Sequence, residues 1–389
     1  MSAYLVGGPL RDVLLGFPVQ DLDFVVEGDA PALAHSLAQE LGGGITVHHR
    51  FGTATVALGD SHIDVVTARR EVYPRPGDLP QVTPGTIRED LARRDFTINS
   101  LAIPLGEAHP RIIDPQGGLD DLAAGLVRIL HPQSFIDDPT RIMRAVRYEQ
   151  RFGFALESGT LARLGEALAA GRLDPVSGDR LRHELERTLE ERDPAPALLR
   201  AARLGVLSAL HPSLREGPGL ERLAACPAAT EEALRYAGPL VYLAALVYHV
   251  PSKNAPSLIR RLNLPGSWSR VVRDTLELRQ REASLAEASL TPSQVYCLVY
   301  GLAEPAVAAV AVLTSLDQAA RRLARYTHEL VRVRPVLGGR ELLEMGVPPG
   351  PQVGEILQHL RRAKLDGQVS GEDDERRLVR RMLSGKKGW

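Results

Sequence analysis

Two aspartates separated by one leucine, Asp21 and Asp23, constrain most strongly what this chain can fold into. They begin an apolar run rich in β-branched residues, which predicts a buried strand over residues 21–26. Because alternate side chains of a strand point the same way, both carboxylates would lie on one face. Two such carboxylates repel each other unless a cation lies between them, and Mg²⁺ favours oxygen ligands of this kind. The pattern therefore indicates metal-dependent phosphoryl or nucleotidyl transfer, although a strand that ends in two solvated aspartates would read the same.

Composition narrows the class of protein. A chain of 389 residues is long enough for two to four compact units. Its net charge of −1 means that a nucleic-acid partner would require a segregated basic face. Cys226 and Cys297 are far apart, which predicts neither a disulfide framework nor a zinc site. With no signal-like N-terminus and no apolar stretch of membrane-spanning length, we expect a soluble cytoplasmic protein without a membrane partner.

The spacing of apolar residues changes near His131. Before that point, strand and helix patterns alternate, which predicts an α+β head. Beyond it, apolar residues recur at intervals of three and four, which predicts ten or more helices rather than a second α/β unit. A segment rich in proline, glycine and charge, residues 68–87, shows no periodicity and is predicted to be a long loop. In the head we predict helices at residues 10–15 and 30–41 and strands at 53–58 and 62–67.

Three features surround the predicted strand of Asp23. The Gly7-Gly8 turn would let the backbone approach a triphosphate, and Arg11 could clamp its phosphate oxygens. Asp64 lies on a strand that could pair beside the first. A third carboxylate there could complete a metal site or accept a proton, but an ordinary aspartate at a strand edge would look the same.

The segment that joins a predicted helix to a strand carries Arg93, Arg94 and Asp95. Arg94 could bind a phosphate, and Asp95 could orient that guanidinium through an ion pair. A surface salt bridge would give the same sequence.

A second distinctive segment begins with Asp138 and Pro139, residues suited to the start of a helix. Arginines follow on one predicted helix face, with no interleaved acids along it. We expect a polyphosphate or an RNA backbone to neutralise them. The four positions are Arg141, Arg144, Arg147 and Arg151.

The pair Asp138 and Arg141 could also recognise a base. Cytosine and adenine both present an amino donor beside a ring-nitrogen acceptor, which a carboxylate and a guanidinium would match. Uracil and guanine present the reverse pattern, so the pair could admit CTP and ATP and exclude UTP and GTP. A helix-capping aspartate with a neighbouring arginine is the plainer alternative.

Several of these segments occur together in one order: GGPLRDVLLG, DLDFVV, DVVTAR, RRDFTIN, DPQGGLDDL and DDPTRIMRAVRYEQRFGF. In this the chain resembles bacterial class II tRNA nucleotidyltransferases, a family that includes CCA-adding, CC-adding and A-adding enzymes and poly(A) polymerases. The resemblance implies a polymerase-beta-like α+β nucleotidyltransferase head followed by an all-α neck, body and tail. The corresponding boundaries are residues 1–131, 132–200, 201–275 and 276–389.

The resemblance also implies residue roles. Asp21 and Asp23 would bind Mg²⁺, and Asp64 matches a carboxylate of less settled role in catalysis. The implied nucleotide-binding residues are Gly8, Arg11, Arg94, Asp138, Arg141, Arg144 and Arg147. Asp137 departs from the glutamate that the family commonly has there.

The implied reaction is attack of a tRNA 3′-hydroxyl on the α-phosphate of ATP or CTP, with release of pyrophosphate. Head and tail would hold the acceptor and TΨC arm of tRNA. The 69–87 segment is close to full length, which favours addition of the terminal A or of the whole CCA over CC alone. An A-adding enzyme would share its tRNA with a separate CC-adding enzyme. Poly(A) synthesis and non-catalytic RNA binding are the competing hypotheses.

Overall fold

The computed structural model describes residues 1–19, 22–48, 52–59, 61–74, 77, 80–214 and 217–384. Its contacts divide the chain into two compact units, Met1–Arg215 and Glu216–Trp389. The first unit mixes strands with helices, and the described part of the second is helical. This agrees with the predicted order of an α+β head before a helical remainder. The finer division into head, neck, body and tail stays a prediction.

The first unit is built on a six-stranded sheet of order β3-β4-β5-β2-β1-β8. Strands β2 and β5 are parallel, whereas the other neighbouring pairs of this sheet are antiparallel. Over the described residues of this unit the strands are β1 Ser2–Val6, β2 Leu22–Glu27, β3 Gly44–His48, β4 Thr53–Leu58, β5 Ser61–Thr67, β6 Arg69–Val72, β7 Gln81–Pro84, β8 Ala102–Pro104, β9 Leu126–Val127 and β10 Ala155–Leu156.

The helices of this unit agree with the sequence pattern at α2 and differ at α1, which begins at Gly7 rather than near residue 10. They are α1 Gly7–Leu14, α2 Ala30–Leu41, α3 Ile87–Ala92, α4 Gly118–Ala124, α5 Ser134–Asp137, α6 Arg141–Phe152, α7 Ser158–Ala169, α8 Gly178–Leu189, α9 Pro194–Arg203 and α10 Val206–Leu210, with short 3₁₀ turns at Thr97–Asn99 and Pro212–Leu214.

The strand that carries Asp23 is buried from both sides. Val26 belongs to a cluster with Ala34 of α2, whereas Val25 belongs to a different cluster with Leu91 of α3. Successive side chains of a strand point to opposite faces, so this division places apolar groups on both sides of the sheet. The continuous apolar run after Asp23 is therefore explained by burial, and it fixes the register of β2.

Two details of the secondary structure differ from what the sequence pattern indicates. The 68–87 segment is not wholly irregular, because β6 and β7 pair as an antiparallel hairpin. Its strands are short and polar, so their pairing leaves no apolar alternation in the sequence. The chain beyond His131 also contains one strand, since Ala155–Leu156 pairs in parallel with Leu126–Val127. A two-residue strand is too short to show a period.

The helices of the second unit include α13, which is buried from Val241 to Val247. They are α11 Pro218–Ala225, α12 Pro227–Ala237, α13 Leu240–Val247, α14 Ala255–Arg261, α15 Gly266–Gln280, α16 Glu282–Ala286, α17 Pro292–Val299, α18 Glu304–Leu313, α19 Asp317–His328, α20 Gly339–Glu344, α21 Pro351–Leu365 and α22 Glu372–Ser384. Over the described residues no single helix is long and apolar enough to cross a membrane; α17 and α18 pass that test only together, bent by 118°.

Candidate active site

Asp23 and Asp64 are direct partners across the parallel strands β2 and β5. Register partners on neighbouring strands point to the same face of a sheet, so the two carboxylates lie side by side. Both line one pocket together with Thr55, Arg93 and Arg94. The hydroxyl of Thr55 donates to Asp64 Oδ1 over 2.5 Å. The structure thus confirms that Asp64 lies beside the first strand. Asp21, the other predicted metal ligand, lies outside the described residues.

The donors of this pocket suit a hard divalent cation. Asp23 and Asp64 offer carboxylate oxygens, and the side chain of Asp64 is 39% exposed to solvent. Mg²⁺ needs only one or two protein carboxylates when substrate phosphates and water complete its coordination. Across the described ranges, no cluster of three or more His, Cys, Asp or Glu side chains is placed to hold a metal. The described pair fits as part of such a site.

The placement of Arg94 depends on Gly7, the first glycine of the Gly7-Gly8 turn. Gly7 has φ +67°, and a Cβ there would lie 2.4 Å from Nη1 of Arg94. A Cβ on Gly8 would lie 3.5 Å from Nη2 of Arg11, which is an ordinary contact. Because Gly7 has no side chain, the guanidinium of Arg94 can lie directly against the turn.

Asp90, and not Asp95, orients Arg94. The Arg94 Nη2 group donates to Asp90 Oδ2 over 3.0 Å, and Arg93 Nη2 donates to Asp90 Oδ1 over 2.6 Å. Burial alone would raise the pKa of Asp90, but the two guanidinia hold that pKa below its ordinary value. The predicted Arg94–Asp95 pair is therefore wrong, because both arginines meet the carboxylate that comes earlier, on α3.

Asp95 instead links the turn after α3 to α6. Its Oδ1 accepts from the backbone N–H of Phe96 and from Asn99 Nδ2, each over 2.9 Å. Its Oδ2 lies 2.7 Å from Nη2 of Arg144. Burial opposes ionisation, but Arg144 and Asn99 lower the pKa of Asp95, so this carboxyl is charged at neutral pH.

Arg11 is almost entirely buried, with 3% of its surface exposed. Its Nη1 donates to Asn99 Oδ1, and its Nε donates to Asp12 Oδ1 over 2.8 Å. The guanidinium also lies over the ring of Phe152, 4.5 Å from the centroid. These contacts hold α1 against the segment that follows Arg94 and against α6.

The arginine stripe lies on α6 as predicted, but carboxylates from other elements neutralise much of its charge. Arg147 Nη2 lies 3.2 Å from Glu184 of α8, and Arg151 Nη2 lies 3.7 Å from Asp12 of α1. Together with the Arg144–Asp95 pair, these contacts correct the expectation that only a bound polyanion would balance the stripe. Residue spacing within α6 could not predict these partners, because the acids lie on other elements of the fold.

The guanidinium that pairs with Asp138 is that of Arg180. Arg180 Nη2 donates to Asp138 Oδ1 over 2.6 Å, and that same oxygen accepts from the hydroxyl of Thr140. Arg141 donates instead to Ser134 Oγ over 2.7 Å and to the Arg93 carbonyl over 2.8 Å. The side chains of Asp138 and Arg141 thus bond to other groups and not to each other, whereas pairing with each other is what the plainer alternative would require.

Arg180 also reaches the connection between β6 and β7. Its Nη1 donates to the carbonyl of Gly77 over 2.7 Å, so one side chain bridges that connection to Asp138. Sequence reasoning missed Arg180 because it lies on α8, distant in the chain from the residues it joins. A usable signal was present, since the start of α8, DRLRHELER, is as rich in charge as the segments that were singled out.

Tyr73 follows β6 and lies near Glu71, Asp138 and Arg141. Its hydroxyl donates to Glu71 Oε2 over 3.1 Å, and Glu71 in turn pairs with Arg93 at 2.7 Å. Burial, reinforced by the charge of Glu71, raises the pKa of Tyr73 to about 12. The hydroxyl therefore stays protonated at neutral pH and remains a hydrogen-bond donor.

Two family models match the first unit. Residues 3–128 match the model described as the poly A polymerase head domain. Residues 153–217 match the one described as a probable RNA and SrmB-binding site of polymerase A. The first of these matches contains Asp23, Asp64 and Arg94.

Relatives match along nearly the whole chain. The A-adding tRNA nucleotidyltransferase of Halalkalibacterium halodurans is 33% identical, over 99% of this chain and 90% of that protein. The A-adding enzyme of Geobacter sulfurreducens is 34% identical over 98% of this chain, which spans about half (45%) of that longer protein. The CC-adding enzyme of Deinococcus radiodurans is also 34% identical, over 97% and 89% of the two chains.

Solved structures agree with these relatives. An apo CCA-adding enzyme superposes with a TM-score of 0.81 at 31% identity, covering 99% of this chain and 92% of that one. The Thermotoga maritima CCA-adding enzyme complexed with tRNA gives 0.78 at 31% identity, over 98% and 91%. The fold and the carboxylate pocket thus define a nucleotidyltransferase. The chain belongs to the tRNA nucleotidyltransferase family, and membership implies the use of a divalent metal ion.

The contact between Gly7 and Arg94 can be tested by stability. Gly7→Ala places an L-residue in the left-handed region and a methyl group against a guanidinium. We expect the free energy of unfolding of the first unit to fall by about 2 kcal/mol in urea titrations. Gly8→Ala is the matched control and should change it little. Equal losses in both variants would contradict this assignment.

The Asp95–Arg144 pair predicts a pH-dependent effect. The pKa of Asp95 is lower in the folded chain than in the unfolded one, so the pair stabilises above pH ~4, and this contribution is lost as pH falls through the folded-state pKa. Asp95→Asn should cost about 3 kcal/mol at neutral pH. That cost should shrink as the pH falls below ~4 and through the lowered folded-state pKa of Asp95, because protonation removes the charge of this carboxyl in the wild-type protein. A cost independent of pH, or an equal cost for the exposed Asp120→Asn, would refute the prediction.

Proposed function

We propose that this chain adds the 3′-terminal A, or the whole CCA, to tRNA from ATP and CTP, and releases pyrophosphate. The observation that carries the proposal is the side-by-side placement of Asp23 and Asp64 in a pocket that also contains Arg93 and Arg94. Carboxylates able to hold a cation, next to guanidinia able to hold phosphates, are what nucleotidyl transfer to a hydroxyl requires.

In the proposed reaction, the 3′-oxygen of tRNA forms a bond to the α-phosphorus as the bond to pyrophosphate breaks. Asp21 and Asp23 would hold Mg²⁺, which when bound stabilises negative charge on the reacting oxygens. Asp64 lies close enough to share that role or to take the proton of the attacking hydroxyl. Arg94, fixed by Asp90, would bind the triphosphate.

The proposed triphosphate site includes four further residues, Gly8, Arg11, Arg144 and Arg147. The arginines among them differ in their exposure to solvent. Arg144 has 30% of its side chain exposed, and a polyphosphate could compete with Asp95 for it. Arg11 and Arg147 are nearly buried, at 3% and 5% exposure. Their support is that the guanidinium of Arg11 lies next to Gly8 and that both guanidinia lie over the ring of Tyr148.

Base selection is proposed for Asp138 and Arg141. The carboxylate would accept from the amino group of cytosine or adenine, and Arg141 would donate to the ring nitrogen. In the structure, Arg141 donates to Ser134 and to a backbone carbonyl, so reading a base would exchange these hydrogen bonds. Arg180 would act as a positioning residue, because its ion pair fixes the carboxylate that meets the base.

The proposed macromolecular partner is tRNA, held along its acceptor and TΨC arm. Support comes from the Thermotoga maritima relative, whose structure was solved in complex with tRNA, and from relatives solved with ATP and with CTP. If this chain adds A alone, a separate CC-adding enzyme would supply its substrate. A cytoplasmic location belongs to the same proposal, because these substrates are found there.

The nucleotide added can be decided with three tRNA transcripts, ending at the discriminator base, at C and at CC. Each is offered labelled ATP or CTP with Mg²⁺. Use of ATP on the CC-ending transcript alone means A addition, and use of all three means CCA addition. Incorporation of CTP alone would assign a CC-adding enzyme, and long A tails would assign a poly(A) polymerase. No incorporation on any transcript would overturn the enzymatic proposal.

Asp23→Ala is expected to lower the rate of nucleotide incorporation by at least ~1,000-fold, because it removes a carboxylate from the metal site. Binding of tRNA, followed by filter retention, should change little. The exposed Asp120→Ala is the matched control and should retain the wild-type rate. An active Asp23→Ala enzyme would refute the metal assignment.

Arg180→Ala tests the positioning of Asp138. We expect the preference for ATP over UTP, measured as a ratio of kcat/KM, to fall by roughly 10- to 100-fold, since a charged hydrogen bond is lost. Arg180→Lys can keep the charge but not both hydrogen bonds, so it should restore the preference only in part. Arg187→Ala, an exposed change on the same helix, should leave the ratio unchanged. Loss of rate with unaltered selectivity would indicate a purely structural role.

A further inference from the structure

We infer that Tyr300, at the end of α17, is an RNA contact on which an unpaired base of tRNA stacks. The inference rests on the proposed function and adds to it a binding site in the second unit. All nine tyrosines of the chain lie in the described residues, and Tyr300 alone is classed as exposed, with 60% of its surface accessible.

The ring of Tyr300 is held in place from one side. It stacks on Tyr296 with centroids 5.0 Å apart and planes 22° from parallel, and Tyr296 in turn contacts Tyr326 at 5.8 Å. The hydroxyl of Tyr296 accepts from Arg361 Nη1 over 2.6 Å. Since the inner ring is fixed by packing and by this hydrogen bond, the outer ring is ordered before any partner arrives, which lowers the entropic cost of binding.

Guanidinia surround the stack. Arg361 lies 5.5 Å from the centroid of Tyr296 and 6.0 Å from that of Tyr300. Arg270, whose side chain is 58% exposed, donates to the carbonyl of Gly301, the residue after the exposed ring. Arg334 is exposed and lies near enough to act electrostatically on the hydroxyl of Tyr296.

Two carboxylates of the same region, those of Asp274 and Asp366, accept hydrogen bonds from other parts of the chain. Asp274 accepts from the backbone N–H of Ala303 over 2.7 Å and lies 3.4 Å from Arg270 Nε. Asp366 accepts from both the N–H and the hydroxyl of Ser293, over 2.8 and 2.7 Å. These contacts leave Arg334 and Arg361 as positive charge beside an open aromatic face.

This combination suits an unpaired nucleotide. A base stacks on an aromatic face whatever its identity, and nearby guanidinia attract the adjoining phosphates. A stable protein partner would instead require a contiguous patch of roughly 800 Å² on each side, which a single exposed ring does not provide. The site therefore adds affinity for tRNA and no choice of nucleotide, which separates it from the pocket of Asp23.

The test is equilibrium binding of a CC-ending tRNA to the full chain. Tyr300→Ala is expected to weaken binding about tenfold, as for loss of one base–aromatic stack, whereas Tyr300→Trp should bind as the wild-type protein does. Leu316→Ala removes another exposed apolar side chain of this unit and is the matched control. At saturating tRNA, Tyr300→Ala should incorporate nucleotide at the wild-type rate, so its defect appears in KM and not in kcat.

Salt dependence separates stacking from charge. Tyr300→Ala removes no charge and should leave the slope of log K against log salt unchanged, whereas Arg334→Gln should reduce it by about one. Wild-type affinity in Tyr300→Ala with intact nucleotide incorporation would overturn this inference and leave the proposed function standing. A wild-type protein that neither binds tRNA nor incorporates nucleotide would overturn both. Binding of Tyr300 to another protein, with tRNA affinity unaffected by its loss, would also refute it.

Discussion

The pairing of β2 with β5 in parallel register is the constraint on which the rest of the site depends. It places Asp23 opposite Asp64, so two carboxylates face one pocket. That register is fixed because Val25 and Val26 are buried on opposite sides of the sheet. A one-residue shift of β2 would exchange Val25 and Val26 between the two faces of the sheet and would turn Asp23 away from Asp64. The same apolar burial that stabilises the first unit therefore also sets the geometry of its chemistry.

Buried carboxylates then arrange the cations around this pair. Asp90 holds Arg93 and Arg94, and Asp95 holds Arg144. Each carboxylate is charged at neutral pH because its guanidinium partners outweigh the cost of burial. Under the proposed function, the arginines are thus pre-arranged for a polyanionic substrate before one binds, and less reorganisation is needed during the reaction.

Local patterns allowed much of the fold and part of the site to be predicted. The apolar run after Asp23, the helix over residues 30–41 and the place of Asp64 beside the first strand all follow from residue spacing. Contacts between residues distant in the chain could not be predicted in this way. The Asp138–Arg180 pair joins the connection between α5 and α6 to α8, and the Arg144–Asp95 pair joins α6 to the turn after α3. Spacing within one element carries no information about such contacts, and the polar β6–β7 hairpin was missed for a similar reason.

The central claim is that this pocket exchanges a nucleotidyl group between tRNA and pyrophosphate, and the reverse reaction tests it most directly. A tRNA labelled in its 3′-terminal A would be incubated with the enzyme, Mg²⁺ and pyrophosphate. Nucleotidyl transfer is reversible, so the account predicts release of the label as ATP, dependent on both pyrophosphate and Asp23. Release of the label as AMP without any need for pyrophosphate, or no release at all, would contradict it.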